Sequence, residues 1–242
     1  RYSRYGQRSH LTAGREDQIS LGRAIRVLTA SRQTGLFFSF LLVMTLGLFM
    51  QEAVLENYGA EIFQMPIAET TSLNAFFGSG TLLGLGITGF LITPRLGKTN
   101  TTRLGCSLVA VSFVLMILAG FNQEPVLLKS MVGIFGLASG VTTTGAISLM
   151  LDLTAAETAG TFIGAWGLAQ ALARASATWL GGLVKSWGDT VFNSPLAAYS
   201  LVFSLEAGAM ILAIALLGRV NVQEFQQKAS AAIAQVLQTE MD

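Results

Sequence analysis

The sequence predicts an all-α integral membrane protein with six spans, and its charge content, the placement of that charge and the short connections carry the prediction. Of 242 residues, 52% are hydrophobic and 12% charged, about half the ~25% charge of a soluble domain. The missing charge leaves continuous windows: Gly35–Gln51, Thr70–Pro94, Leu104–Gln123 and Ser130–Leu151 contain none, while Thr158–Val184 contains only Arg174 and Thr190–Gly218 only Glu206. About 20 apolar residues cross a ~30 Å hydrocarbon core, so each window supplies a span. The segments are too long and too uniformly apolar for the alternating strands of a membrane barrel.

Taken in order, residues 1–33 form a basic segment. Within it Ile19, Ala24, Ile25 and Leu28 fall near one helical face, which suits an interfacial amphipathic helix; a solvated linker fits as well. Spans follow near 34–57, 72–93, 101–121, 127–150, 159–184 and 197–218. The membrane domain is therefore 34–218, and 219–242 is a polar-faced C-terminal tail. Lys and Arg concentrate in short cytoplasmic loops. Twelve of these residues (Arg1, Arg4, Arg8, Arg15, Arg23, Arg26, Arg32, Arg95, Lys98, Arg103, Arg219 and Lys228) share one side if both termini are cytoplasmic, against Lys129 and Lys185 on the other. The stretch "FMQEAVLENYGAEIFQM", from Phe49 to Met65, is then expected on the outer face, with Gly59 letting the chain leave the helix.

One cysteine, Cys106, and one histidine, His10, leave no internal disulfide and no His/Cys metal site to build. No nucleophile–base pair can be assembled, so catalysis is not expected, and neither a metal nor a nucleic-acid partner is. Arg1 is neither an initiator methionine nor part of a signal-peptide pattern, so the chain is expected to be a piece of something longer.

Polar residues inside spans are costly and functional by default. Asn74, Gln170, Arg174 and Glu206 are the candidates for an interior polar cluster. Arg174 lies ten residues from the outer end of the fifth span and Glu206 nine from that of the sixth. At 1.5 Å per residue these depths are roughly 15 and 14 Å, which predicts a buried Arg174–Glu206 pair. A structural ion pair locking the bundle is the plainer role for such a cluster. Gly80 with Gly84, and Gly133, Gly136 and Gly140, fall on helix faces where small residues let backbones approach. Trp166, Trp179 and Trp187 are expected to pack or to anchor.

Two patterns bear on the fold family. "AETTSLNAFFGSG" (Ala68–Gly80) and "AETAGTFIGAWG" (Ala156–Gly167) precede the second and fifth spans, on opposite faces. Three helices followed by three inverted helices is the half-unit plan of major facilitator transporters. "GFLITPRLGK" (Gly89–Lys98) is similar to the facilitator loop motif: Arg95, Gly97 and Lys98 match it, while Pro94 stands where the family has an acidic residue. A basic linker and six helices then resemble the C-terminal half of a twelve-helix facilitator, whose N-terminal half would be a partner.

The stretch "VLENYGAEIFQMPIAETTSLNAFFGSGTLLG" (Val54–Gly84) resembles the PucC-type light-harvesting assembly proteins, the (bacterio)chlorophyll-delivery branch of that superfamily. The matching elements are Leu55-Glu56, Tyr58-Gly59, Phe63, Met65, Thr70-Thr71, Leu73, Ala75 and Gly78/Gly80/Gly84. The resemblance implies a thylakoid or other photosynthetic membrane and a role in assembling chlorophyll-binding light-harvesting or photosystem complexes. Chlorophyll is the only cofactor it brings into view. Glu52 and Glu56, one helical turn apart, are then candidates with Tyr58, Phe63 and Met65 for a partner or pigment contact. Three readings of the carboxylates stay open: hydrated groups at the membrane edge, partner contacts, or oxygen ligands for a chlorophyll magnesium. A proton-coupled solute transporter and a permanent structural subunit of a photosynthetic complex are the competing functions. Pro94 and the nearly apolar first, third and fourth spans favour the assembly role.

Overall fold

A computed structural model describes residues 32–152 and 159–221. The amphipathic segment expected before residue 32 and the tail beyond 221 lie outside the described residues. The described residues form eight α-helices: α1 (Arg32–Phe49), α2 (Leu55–Phe63), α3 (Ile67–Ile87), α4 (Thr93–Leu96), α5 (Lys98–Asn122), α6 (Pro125–Asp152), α7 (Ala159–Val191) and α8 (Pro195–Leu217). A 3-10 turn, Met50–Ala53, joins α1 to α2, and a π turn, Thr88–Ile92, joins α3 to α4.

Among the described residues, five segments are long and apolar enough to cross a membrane: Gly35–Ala53, Ile67–Leu96, Lys98–Asn122, Pro125–Leu151 and Pro195–Leu217. The chain is thus an all-α integral membrane protein, as its sequence predicts. The expected fifth span corresponds to α7, which at 33 residues is the longest helix but is not among those five. Gln170, Arg174 and a run of alanines dilute its hydropathy, and it packs along α1 and α8.

Three local expectations are corrected. The first span is not one helix over 34–57. The Gln51 N–H donates to the Glu206 side chain at 2.6 Å instead of to a carbonyl one turn back, and a side chain inserted into the ladder breaks a helix. Gly59 does not release the chain, because α2 runs through it to Phe63 and ends at Gln64, a left-handed residue at φ 53°. Gly59 instead gives close approach: a Cβ there would stand 3.1 Å from Leu73 Cδ1. The second span, expected to end near 93, stays helical to Leu96. The wide π turn precedes Pro94, whose ring is tolerated at the start of a helix. The turn itself is Gly97, at φ 74° and ψ 160°, a conformation that favours glycine.

The chain ends of the described bundle meet: the Asn221 N–H donates to Gln33 Oε1 at 3.1 Å, and the Arg103 guanidinium lies by Gly218. The N-terminal end of α1, the Gly97 turn and the C-terminal end of α8 therefore share one end of the bundle. Helix neighbours are α3 with α6, α6 with α5, α5 with α8, α8 with α1, and α1 with α7. Exchanging α1, α3 and α5 for α6, α7 and α8 maps this series onto itself, but α7 also packs on α8, and no comparable contact of α3 with α5 is formed among the described residues, so the three-plus-three symmetry is only partial. The two Ala-Glu-Thr copies accompany helices that exchange, α3 and α7; the first three residues of the second copy lie outside the described residues.

The α3–α6 contact is made backbone to backbone. A Cβ on Gly80 or Gly84 would strike the carbonyls of Gly133 or Leu137, and one on Gly136 or Gly140 those of Phe77 or Thr81. The small residues noted in the sequence are this interface. The core is filled by Phe37, Phe40, Phe113, Phe135, Phe203, Tyr58 and Tyr199, each fully buried. The apolar face of α3 and the π turn that carries Leu82, Leu83 and Phe90 is exposed, as a lipid-facing surface is.

Candidate functional site

The break after α1 organises the polar residues of the membrane domain. Gln51 is 3% exposed and Glu206, midway along α8, is fully buried. Their 2.6 Å bond ties the 3-10 turn to α8. From the other side α7 lies directly on the Met50 carbonyl, at Gly181, where a Cβ would clash.

Glu52, the next residue, points the other way. It accepts Arg174 Nε at 3.1 Å and also binds Arg174 Nη2, so the guanidinium engages both carboxylate oxygens. Arg174 lies 4.4 Å over the Phe49 ring, adding a cation–π contact. The expected Arg174–Glu206 pair is therefore not formed. The expected depths assumed a fifth span ending near 184, but α7 runs on to Val191, which leaves Arg174 17 residues from its end while Glu206 is 11 from the start of α8, and the two side chains take different residues of the 3-10 turn, Glu52 and Gln51. One turn along, Glu56 Oε1 accepts Asn74 Nδ2 at 2.6 Å. Two sets of residues that the sequence kept apart, Glu52/Glu56 and Arg174/Asn74, thus form one stripe from α7 across the break to α3. Gln170 sits one turn before Arg174 on α7, half-buried.

The Arg174 end of the stripe lies well within α7. Arg174 is 17 residues from the end of α7 at Val191, about 25 Å along the helix. Its side chain remains half-exposed within the bundle. Beside it is an open groove of about 670 Å³ along α7, lined by Ala171, Arg174, Ala175, Thr178 and Trp179. Trp179 and Trp187 are 67% and 59% exposed, in keeping with anchoring, while Trp166 packs against the core.

Tyr58, Phe63 and Met65 do not form a contact surface. They are 0%, 4% and 4% exposed and face the bundle. The Tyr58 hydroxyl donates to the Met116 carbonyl on α5 at 2.8 Å, and its ring meets Phe63, Tyr199 and Phe203 at 5.0–5.3 Å between centroids. Because α2 continues past Gly59, these apolar side chains pack inward. Burial also raises the Tyr58 hydroxyl pKa well above its usual value, so it stays a neutral donor.

The remaining glutamates of the segment are tethered too. Lys185 binds Glu61 at 3.4 Å and Asp189 at 2.8 Å, and Lys129 binds Glu69 at 2.8 Å. The only two cations expected at this end of the bundle are both used to hold residues 61–69. Glu61, Glu69 and Gln51 were not singled out in the sequence; the signal available was that two lysines, on α6 and α7, faced an otherwise acidic segment. Arg95, Gly97 and Lys98 sit at the opposite end, by the Gly97 turn, and are not brought to the stripe.

An all-α bundle with five apolar helices long enough to cross a membrane, carrying an ion pair and an amide–carboxylate pair, defines an integral membrane protein. The particular family follows from sequence comparison. Residues 3–225 match the family described as PUCC protein, and the chain belongs to that family. It is 32% identical over 174 residues to Protein PucC of Cereibacter sphaeroides, covering 69% of this chain and 38% of the relative. Protein PucC of Rhodobacter capsulatus is 28% identical over 221 residues, 83% and 48% of the two chains. The Bacteriochlorophyll synthase 44.5 kDa chain of Rhodobacter capsulatus is 31% identical over 201 residues, 78% and 45%. The chain spans less than half the length of these relatives.

Proposed function

We propose that this chain belongs to a membrane assembly factor for chlorophyll-binding light-harvesting or photosystem complexes, working in a photosynthetic membrane. Its part is docking and handling rather than catalysis. The observation that carries this reading is the family match over residues 3–225; a relative named as a bacteriochlorophyll synthase chain points to the same physiology. The stripe supplies a physical means. A charged pair held at membrane depth beside an apolar groove can receive a molecule or helix that is apolar along its length and polar at one point. Carboxylate oxygens of Glu52 and Glu56 suit a hard cation such as a chlorophyll magnesium. The exposed face of α3 is available to lipid or to the rest of a longer chain.

The test is the absorption spectrum of the gently solubilised protein together with the identity of what purifies with it. Chlorophyll proteins or pigment in stoichiometric amount support the reading. A colourless protein that purifies alone counts against it. A second reading, a proton-coupled solute carrier of the facilitator type, is favoured by the open groove at Arg174; solute flux into vesicles abolished by Arg174→Gln would support it instead.

A further inference from the structure

We propose that the ends of α1, α5 and α8 form a binding site for an anionic phospholipid, with the phosphate held by Arg32, Arg103 and Arg219 and the acyl chains laid along α5 and α8. The inference does not depend on the assembly reading. Arg103 lies in the second turn of α5, and its Nη2 is 3.6 Å from the place a Cβ on Gly218 would take. Gly218 closes α8, and Arg219 follows it. The chain then runs against the start of α1, where the Asn221 N–H donates to Gln33 Oε1 at 3.1 Å. Arg32, the first residue of α1, stands beside that bond. Because α8 packs on both α5 and α1, the three arginines belong to one junction.

No protein group neutralises them. Elsewhere in the bundle each described cation has a carboxylate: Lys129 binds Glu69, Arg174 binds Glu52, and Lys185 binds Glu61 and Asp189. Among the described residues, Arg32, Arg103 and Arg219 form neither an ion pair nor a side-chain hydrogen bond. Asp152, at the same end, closes α6, which packs chiefly on α3 and α5. Capping of α8 does not occupy the arginines either. The carbonyls of Ile214, Leu216 and Leu217 already accept the N–H groups of Gly218, Arg219 and Val220. Like charges gathered without a counter-charge repel, and a phosphate, whose oxygens match the guanidinium fork, removes that repulsion.

The surface next to the junction decides where the phosphate comes from. Arg103 heads an exposed face of α5 that carries Val111 and Val114, and the exposed face of α8 that ends at Arg219 carries Ile211 and Leu212. Further along, the same two faces line an open groove of about 420 Å³ with Ile117, Phe121 and Leu201. Both helices are long and apolar enough to cross a membrane. A free phosphate would engage the arginines alone. A phospholipid engages the arginines with its headgroup and the apolar faces with its chains, as basic pockets between membrane helices do.

The test is lipid retention by the full chain, purified in mild detergent and read by native mass spectrometry. Phosphatidylglycerol and phosphatidylcholine of matched acyl chains are added separately, with inorganic phosphate as a third arm. The wild type should keep one phosphatidylglycerol at a concentration at which phosphatidylcholine is lost, and equimolar inorganic phosphate should not displace it. Arg103→Gln and Arg219→Gln should each weaken phosphatidylglycerol retention about fivefold and leave phosphatidylcholine unaffected. Arg219 is exposed beyond the end of α8, so its variant reads the site if Arg103→Gln fails to fold. Arg95→Gln removes a charge from α4, outside the junction, and should retain lipid as the wild type does. Equal retention of the two lipids, no change in either junction variant, an equal loss in Arg95→Gln, or displacement by inorganic phosphate would each overturn the proposal.

Discussion

Arg174 of α7 grips both carboxylate oxygens of Glu52, the residue that follows the point where α1 breaks. The relationship shows what the glutamates at the end of the apolar run are bound to. They are the partners of polar residues inside other spans, and each fixes the broken segment to a different helix.

The pair should be coupled energetically. In a double-mutant cycle read by thermal unfolding in detergent, Arg174→Gln and Glu52→Gln should each destabilise, and the double substitution should be milder than their sum by about 1–3 kcal/mol. The same cycle on Arg174 and Glu206 should give a sum within roughly 0.5 kcal/mol of additive.

Tyr58→Phe removes only the hydroxyl that reaches Met116. It should cost about 1 kcal/mol for the hydrogen bond, more for the stranded carbonyl. Tyr58→Ala, which empties the aromatic cluster, should cost about 3–5 kcal/mol. Equal effects in unfolding experiments would place Tyr58 outside the core.

The α3–α6 interface has no room for side chains. Gly84→Leu and Gly140→Leu should abolish folding or cost several times more than Gly78→Ala. No heavy atom stands within 4 Å of a Cβ at Gly78, and alanine there gains up to about 1 kcal/mol of helix propensity. Yield and melting temperature of the three variants read the difference.

Gln64, exposed at the end of α2, should label from the side opposite the termini when changed to cysteine, because the positive charge predicts both termini cytoplasmic. Cys106 is buried and stays silent. Labelling of Gln64→Cys by an impermeant reagent from the cytoplasmic face of sealed vesicles would reverse the orientation.

Composition and charge-free windows made the spans legible, since hydrocarbon thickness fixes helix length whatever the packing. The glycines of α3 and α6 were legible for a similar reason: four-residue spacing places them on one face. Pairing was harder to read. Depth follows from counting only where a helix ends as expected, and α7 runs on to Val191; the azimuth that sends Arg174 to Glu52 and Glu206 to Gln51 is set by how α7 and α8 rotate against α1, and no single helix encodes that. The inward turn of Tyr58, Phe63 and Met65 was hidden because Gly59 reads as a helix stop, whereas it serves as a close contact with Leu73.

The stripe from Arg174 to Asn74 is claimed to serve chlorophyll-complex assembly, and one measurement tests that most directly. In a photosynthetic host whose only copy carries Glu52→Gln with Arg174→Gln, both charges are gone while side-chain size and hydrogen bonding remain. The account predicts near-normal abundance of the variant in the membrane and a reduced level of assembled chlorophyll complex, measured by absorption of the membranes and by co-purification. Normal abundance with a normal complex level would contradict it.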